Sequence, residues 1–219
     1  MEALPHAIPL YKHQLEGHKR SLSNDRWGFL FDTGTGKTRL GLCIAADGLP
    51  HRRKTLVLTK LSIISTWLEE AQDLGLSMNI MSGWGRTKAQ RRAAIKRSDW
   101  YDVLVMNYDS FKLEVDNLKD IGFDTLICDE SSVMKAPGTR QSKAVLAFAK
   151  FVRRCYLMSG SPAPNGEHEW YTQMQCLRDW GKEHAPGPFG EDSFYRWQRH
   201  WFYQPVAFQP YIWRIDPAL

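Results

Sequence analysis

Asp32-Thr33-Gly34-Thr35-Gly36-Lys37-Thr38 is a glycine-spaced run that ends in a lysine and a hydroxyl. Those residue types suit a phosphate chain. Glycines let backbone N–H groups approach phosphate oxygens, a lysine behind them reaches the β- and γ-phosphates, and the next hydroxyl can hold Mg²⁺. Phe31 stands where the full form of this pattern has a further glycine. Downstream, Phe123-Asp124-Thr125-Leu126-Ile127-Cys128 is followed by Asp129-Glu130. A carboxylate after such an apolar run can hold the Mg²⁺ shell, and its neighbour can polarise an attacking water. Together the two runs imply hydrolysis of a nucleoside triphosphate. Thr33, Gly34, Thr35, Gly36, Lys37 and Thr38 are the expected phosphate cradle, and Thr38 and Asp129 the expected metal ligands. Lys37, Asp129 and Glu130 are the expected catalytic groups.

Such groups must be positioned by strands and helices, and the sequence alternates the two. Tyr11 to Leu22 reads as a helix, Trp27 to Phe31 as a strand, Lys37 to Ala46 as a helix and Lys54 to Leu58 as a strand. Ile63 to Leu74 is an amphipathic helix with Trp67 and Leu68 on its apolar side, and Met78 to Met81 a short strand. A basic helix follows, then strands at Asp102 to Met106 and Leu126 to Cys128. Helix Arg140 to Ala149, strand Cys155 to Met158 and helix Glu167 to Leu177 complete the series. Repeated β-α alternation with apolar strands implies an α/β fold, a parallel sheet with helices on both faces. Ligands of such sheets bind at the carboxyl ends of the strands, where Lys37, Asp129 and Ser159 all fall.

Composition excludes other classes. With 219 residues, the chain has room for one large α/β domain. A hydrophobic share of 43% and a charged share of 24% are ordinary for a globular protein, and no apolar run is long enough to span a membrane. The N-terminus lacks the pattern of a secretory signal. Cys43, Cys128, Cys155 and Cys176 form no C-x-x-C pair, which points to a reduced, cytoplasmic setting and away from a zinc site. His168-Glu169 lacks the second histidine of a zinc helix, because Thr172 occupies its place. The net charge of +5 hints at a polyanionic partner. Arg86, Lys88, Arg91, Arg92, Lys96 and Arg97 read first as a solvated helix face and second as a DNA contact.

In order along the chain, these segments resemble the first RecA-like domain of a superfamily-two helicase, of the Swi/Snf DNA-translocase type. Leu10 to Gly17 is similar to the family's adenine-recognition segment, and the resemblance implies that Gln14 reads the base of ATP. Asp32 to Thr38 resembles motif I. Thr59-Lys60-Leu61-Ser62, with Trp67 and Glu70, resembles motif Ia, and Met106-Asn107-Tyr108-Asp109 the next DNA-side motif. Asp129-Glu130-Ser131-Ser132 with Lys135 resembles motif II, and Ser159-Gly160-Ser161-Pro162 with Asn165 motif III. The family likeness implies ATP and Mg²⁺ as cofactors and duplex DNA, held by its backbone, as partner. It implies DNA contacts at Lys60, Ser62, Asn107 and Tyr108, and coupling of nucleotide state to DNA through Ser159, Gly160 and Ser161.

Two positions depart from the family pattern. Lys60 stands where proline is usual, and Ser132 where histidine or glutamine is usual. The family completes its ATP site with a second RecA-like domain, in cis or in trans, which supplies arginines. The expected division is a helicase ATP-binding domain over residues 1–180 and an aromatic-rich extension over 181–219 that leads toward that second domain. Slow hydrolysis by this chain alone is expected, with a stand-alone, ATP-switched binding module as the alternative. The extension carries Phe194, Tyr195, Trp197, Trp201, Phe202, Tyr203, Phe208 and Tyr211. It reads first as packing against the sheet edge or the second domain, and second as a stacking platform for unpaired bases.

Overall fold

The computed structural model describes residues 10–51, 53–76, 78–83, 87–166, 169–179 and 193–196, and the backbone of 202–203 and 214–215. Six strands form one parallel sheet: β1 (Arg26–Phe29), β2 (Lys54–Thr59), β3 (Ile80–Ser82), β4 (Val103–Asn107), β5 (Phe123–Asp129) and β6 (Arg154–Met158), in the order β1-β6-β5-β2-β4-β3. The helices are α1 (Lys12–Ser23), α2 (Lys37–Ala46), α3 (Ile64–Asp73), α4 (Lys88–Lys96), α5 (Tyr108–Leu118), α6 (Arg140–Ala149) and α7 (Trp170–Cys176). Beyond them, β7 (Phe202–Tyr203) pairs antiparallel with β8 (Arg214–Ile215).

The middles of the inner strands are apolar on successive residues because both faces of the sheet are covered. Successive side chains point to opposite faces, so Leu126 and Cys128 of β5 enter one core and Ile127 the other. Leu56, Leu104 and Leu157 join Leu126 against α4, α5 and α6. Val57, Val105 and Met158 join Ile127 against α2 and α3. Arg26 locks the far end of this arrangement. Its guanidinium donates to the carbonyls of Ala149 (2.8 Å), Val152 (2.6 Å) and Cys176 (2.8 Å), at and just beyond the C-termini of α6 and α7.

Helix α5 was not expected from the sequence. Its inward positions include Tyr108, Phe111 and Leu118, which follow helical spacing, but also Glu114. A buried carboxylate breaks the apolar stripe that announces a helix. It is tolerated because Arg91 and Arg92 of α4 pair with it at 3.6 and 3.3 Å and Asn117 donates to it at 2.7 Å. Part of the basic run is thereby explained: the largely covered Arg91 and the more exposed Arg92 both fasten α4 to α5 through Glu114. Lys88, Lys96 and Arg97 remain exposed, and Arg86 lies outside the described residues.

Candidate nucleotide-binding site

The strand order creates the site. β6 lies between β1, which leads into the glycine loop, and β5, which ends in Asp129. Phe29 and Asp129 are both in register with Met158 of β6. The loop and the carboxylate therefore leave the sheet at one level, about two strand spacings or 10 Å apart. Ser159-Gly160 emerges between them. A Cβ at Gly160 would lie 3.1 Å from Thr33 N and 3.3 Å from Phe31 O, so glycine lets this segment press against the loop backbone.

The glycine loop has the shape of an anion cradle. Gly34 and Gly36 both have φ of 76°, the left-handed region open to glycine. Gly36 caps α2 with no side-chain hydrogen bond, which leaves first-turn amides of that helix directed at the loop. Lys37 is buried, and its Nζ donates to the carbonyls of Phe31 and Asp32, each at 3.0 Å. Thr38 sits half-buried in the first turn of α2, while Thr33 and Gly34 are exposed. Thr35 Oγ1 donates to Asp32 O at 2.7 Å and closes the turn.

Helix α1 holds this loop from outside. Gln14 is only 1% exposed, and its Nε2 donates to Thr35 O (3.1 Å) and Gly36 O (3.0 Å) while Oε1 accepts from Tyr11 N at 2.8 Å. His13 Nε2 donates to Thr35 O at 2.9 Å. A side chain at Gly36 would run into the Gln14 amide, so Gly36 is needed for space as well as for its φ. The Gln14 amide thus engages the loop backbone.

Asp129 is buried at the end of β5 and hydrogen-bonded on both oxygens. Oδ2 accepts from Thr59 Oγ1 (2.9 Å) and Trp67 Nε1 (3.1 Å), and Oδ1 from the Glu130 amide (3.1 Å). Burial pushes its carboxyl up from the ordinary 3.8; the bonds from Trp67 and Thr59 offset part of that, and the nearby Glu130 charge adds to it. A carboxylate offers about four lone-pair positions, so one stays open to a cation or its water. Among the described residues no cluster of three or more histidine, cysteine or acidic side chains could hold a metal ion. The donor set instead fits Mg²⁺ that arrives with phosphates and needs one or two protein oxygens. Glu130 is the single non-glycine residue with positive φ (53°) among those described. Such backbone costs of order 1 kcal/mol and is retained where a side chain must be aimed.

The residues expected to face DNA divide. Lys60 and Ser62 are exposed just beyond β2, and Lys60 Nζ lies 3.8 Å from Glu130 Oε2. Asn107 ends β4 in register with Thr59, and its Oδ1 is buried without a hydrogen-bond partner. Tyr108 needs correction. It is 3% exposed, and its hydroxyl donates to the Asp129 carbonyl at 2.8 Å, so it braces the end of β5 from within. Glu70 likewise turns to α2, where it accepts from Arg39 Nε at 3.2 Å.

Ser159 is buried, and its Oγ accepts from the Ser161 amide at 3.2 Å, which shapes the turn toward Pro162. Sequence reasoning missed Thr59 and Trp67 as supports of Asp129. Trp67 read as part of an apolar helix face and of the motif Ia segment, because its indole N–H meets Asp129 only once α3 is folded over β5. Gly41 was the available signal. A Cβ there would collide with the Trp67 ring, and an interior helix glycine otherwise has little to recommend it.

A parallel sheet with a glycine loop between β1 and α2, and an Asp-Glu pair two strands away, defines a RecA-like P-loop domain. Residues 9–207 match the SNF2-related domain, and the chain belongs to that family of helicase-like ATPases. It is 26% identical over 149 residues to the human DNA repair and recombination protein RAD54B, covering 68% of this chain and 15% of that one. It is 31% identical over 175 residues to putative protein p41 of Acyrthosiphon pisum secondary endosymbiont phage 1, covering 74% of this chain and 37% of the phage protein. Among solved structures, the Sulfolobus solfataricus SWI2/SNF2 ATPase core in complex with dsDNA matches with a TM-score of 0.66 at 20% identity, over 81% of this chain and 37% of that one. That likeness is one of fold. The chain spans well under half the length of each of these proteins. Among the described residues no helix is long and apolar enough to cross a membrane.

Proposed function

We propose that this chain is the ATP-binding half of a DNA-dependent ATPase that moves along duplex DNA. The glycine loop from Thr33 to Thr38 cradles the phosphates, with Lys37 as the charge on the β- and γ-phosphates and Gln14 at the adenine end. Thr38 and Asp129 hold Mg²⁺, and Glu130 orients the attacking water. Lys60, Ser62 and Asn107 line the DNA side at the ends of β2 and β4, and Ser159 to Ser161 relay nucleotide state. A second RecA-like domain, in cis or in trans, completes the cleft with arginine. Residues 1–180 form the ATP-binding domain, and 181–219 lead toward the second.

The observation that most supports this reading is the adjacency, across β1, β6 and β5, of a glycine cradle, a serine-glycine turn and a buried aspartate. Glu130 favours hydrolysis over a passive switch, since binding alone has no need of a strained, water-orienting carboxylate. An arginine from the second domain contributes on the order of 10³–10⁵ in rate, so this chain alone turns over slowly. The test is binding of a fluorescent ATP analogue with Mg²⁺, together with single-turnover hydrolysis. Lys37→Ala is expected to lose binding, and Glu130→Gln to bind and not hydrolyse. Hydrolysis by Glu130→Gln at the wild-type rate would refute the assignment.

A further inference from the structure

The turn after β5 and the loop after β6 are joined through a third element, α7. Ser131, the residue after Asp129-Glu130, is buried, and its Oγ donates to Gln173 Oε1 at 2.7 Å. The Nε2 of the same Gln173 amide donates to Pro162 O at 2.7 Å, in the loop after Ser159. One helical turn earlier, Glu169 does the same with charge. Its carboxylate pairs with Lys135 at 3.1 Å, just past that turn, and accepts from Asn165 Nδ2 (2.7 Å) and Asn165 N (3.1 Å). Gln173 and Glu169 are both buried, at the i, i+4 spacing that puts them on one helix face. Cys176, the last residue of α7, is tied to the sheet by Arg26.

We infer that Glu169 and Gln173 are positioning residues that couple the Asp129-Glu130 turn to the Ser159–Asn165 loop, so that nucleotide state is relayed through α7. This rests on the nucleotide-binding reading above. Ser132, at the position where the family pattern has a larger polar side chain, is then not needed for that relay. Ser131, Gln173 and Glu169 are buried, while Lys135 and Pro162 are half-buried and Asn165 is exposed, so a shift of any partner leaves a buried polar group in α7 or the turn short of a bond. A rearrangement of Ser131 or Lys135 drags Gln173 or Glu169, and with it Pro162 or Asn165.

The experiment is amide hydrogen exchange of the 219-residue chain with and without Mg²⁺ and a slowly hydrolysed ATP analogue. In the wild type, nucleotide should slow exchange both in the 131–135 turn and in the 160–166 loop. Glu169→Gln keeps the shape and removes the charge pairing, and Gln173→Ala removes the second bridge. Both should bind nucleotide within about threefold of wild type. Both should keep protection at 131–135 and lose most of it at 160–166. The exchanged pair Lys135→Glu with Glu169→Lys should recover part of it. Unchanged nucleotide protection at 160–166 in the variants would overturn the relay, as would faster exchange there without nucleotide and an undiminished response to it. A wild-type chain that binds no nucleotide would instead overturn the functional reading, a separate and recognisable failure.

Discussion

Trp67 donates its indole N–H to Asp129 Oδ2 at 3.1 Å, from a position on α3 with no solvent exposure. A hydrogen bond to an ionised carboxylate is worth more than a neutral one, and an outer-shell donor also orients the ligand. Trp67→Phe should lower stability by about 1–3 kcal/mol in urea unfolding. Mg²⁺-dependent nucleotide affinity should fall by about tenfold or more, read by titration of Mg²⁺ at fixed nucleotide.

Gly41→Ala runs against intrinsic propensity. In an exposed helix, alanine would gain about 1 kcal/mol over glycine. Here the added Cβ would collide with the Trp67 ring and approach Met158 Cε at 3.3 Å. Overpacking of this kind costs about 1–3 kcal/mol, so the variant should be less stable than wild type by urea denaturation. It should also bind Mg-nucleotide more weakly, because displacing Trp67 loosens Asp129.

Burial raises the Asp129 carboxyl above 3.8, so the folded chain holds this proton more tightly than the unfolded one. The stabilisation from that tighter proton binding is complete below about pH 3.8 and is lost as pH rises through the raised folded value. At neutral pH and without Mg²⁺, Asp129→Asn should therefore raise the Tm, and the gap should close on acidification through that window. Metal binding has the opposite sign, since Mg²⁺ needs the carboxylate. Mg²⁺-dependent nucleotide affinity should decline on acidification from a higher pH than an exposed aspartate would give. Isothermal titration at several pH values reads both the loss and the proton released.

Lys60 and Glu130 face each other at 3.8 Å, with the lysine side chain 52% exposed. At that exposure the pair is worth less than about 1 kcal/mol, so Lys60→Ala should leave the Tm nearly unchanged. Its effect should lie in function, because Lys60 can serve either the carboxylate or a DNA phosphate. Lys60→Ala should raise DNA-independent turnover a few-fold by freeing Glu130. It should also reduce the salt dependence of duplex binding by about one counterion. Equal salt slopes for the two proteins would remove Lys60 from the DNA side.

The sequence by itself determined most of the elements and the family. Helices Lys37–Ala46 and Arg140–Ala149 are found as expected, and the strands differ by one to three residues at their ends. These signals are local: a glycine loop followed by a helix, a buried apolar run followed by Asp-Glu. The SNF2-related family was legible from the same short motifs. Helix α5 was not, because its inward Glu114 is paid for by arginines on another helix. Most of the aromatic run beyond Phe189 lies outside the described residues, with Phe194 set edge-on to Tyr171 at 5.4 Å. What only the tertiary structure decided is which side chains support the site. Thr59, Trp67 and Tyr108 converge on Asp129, Gln14 on the loop, and Glu169 and Gln173 on the two turns. The physical reason is that a hydrogen bond between strangers in sequence has no periodicity to announce it. It exists only after burial has removed water as the competing partner.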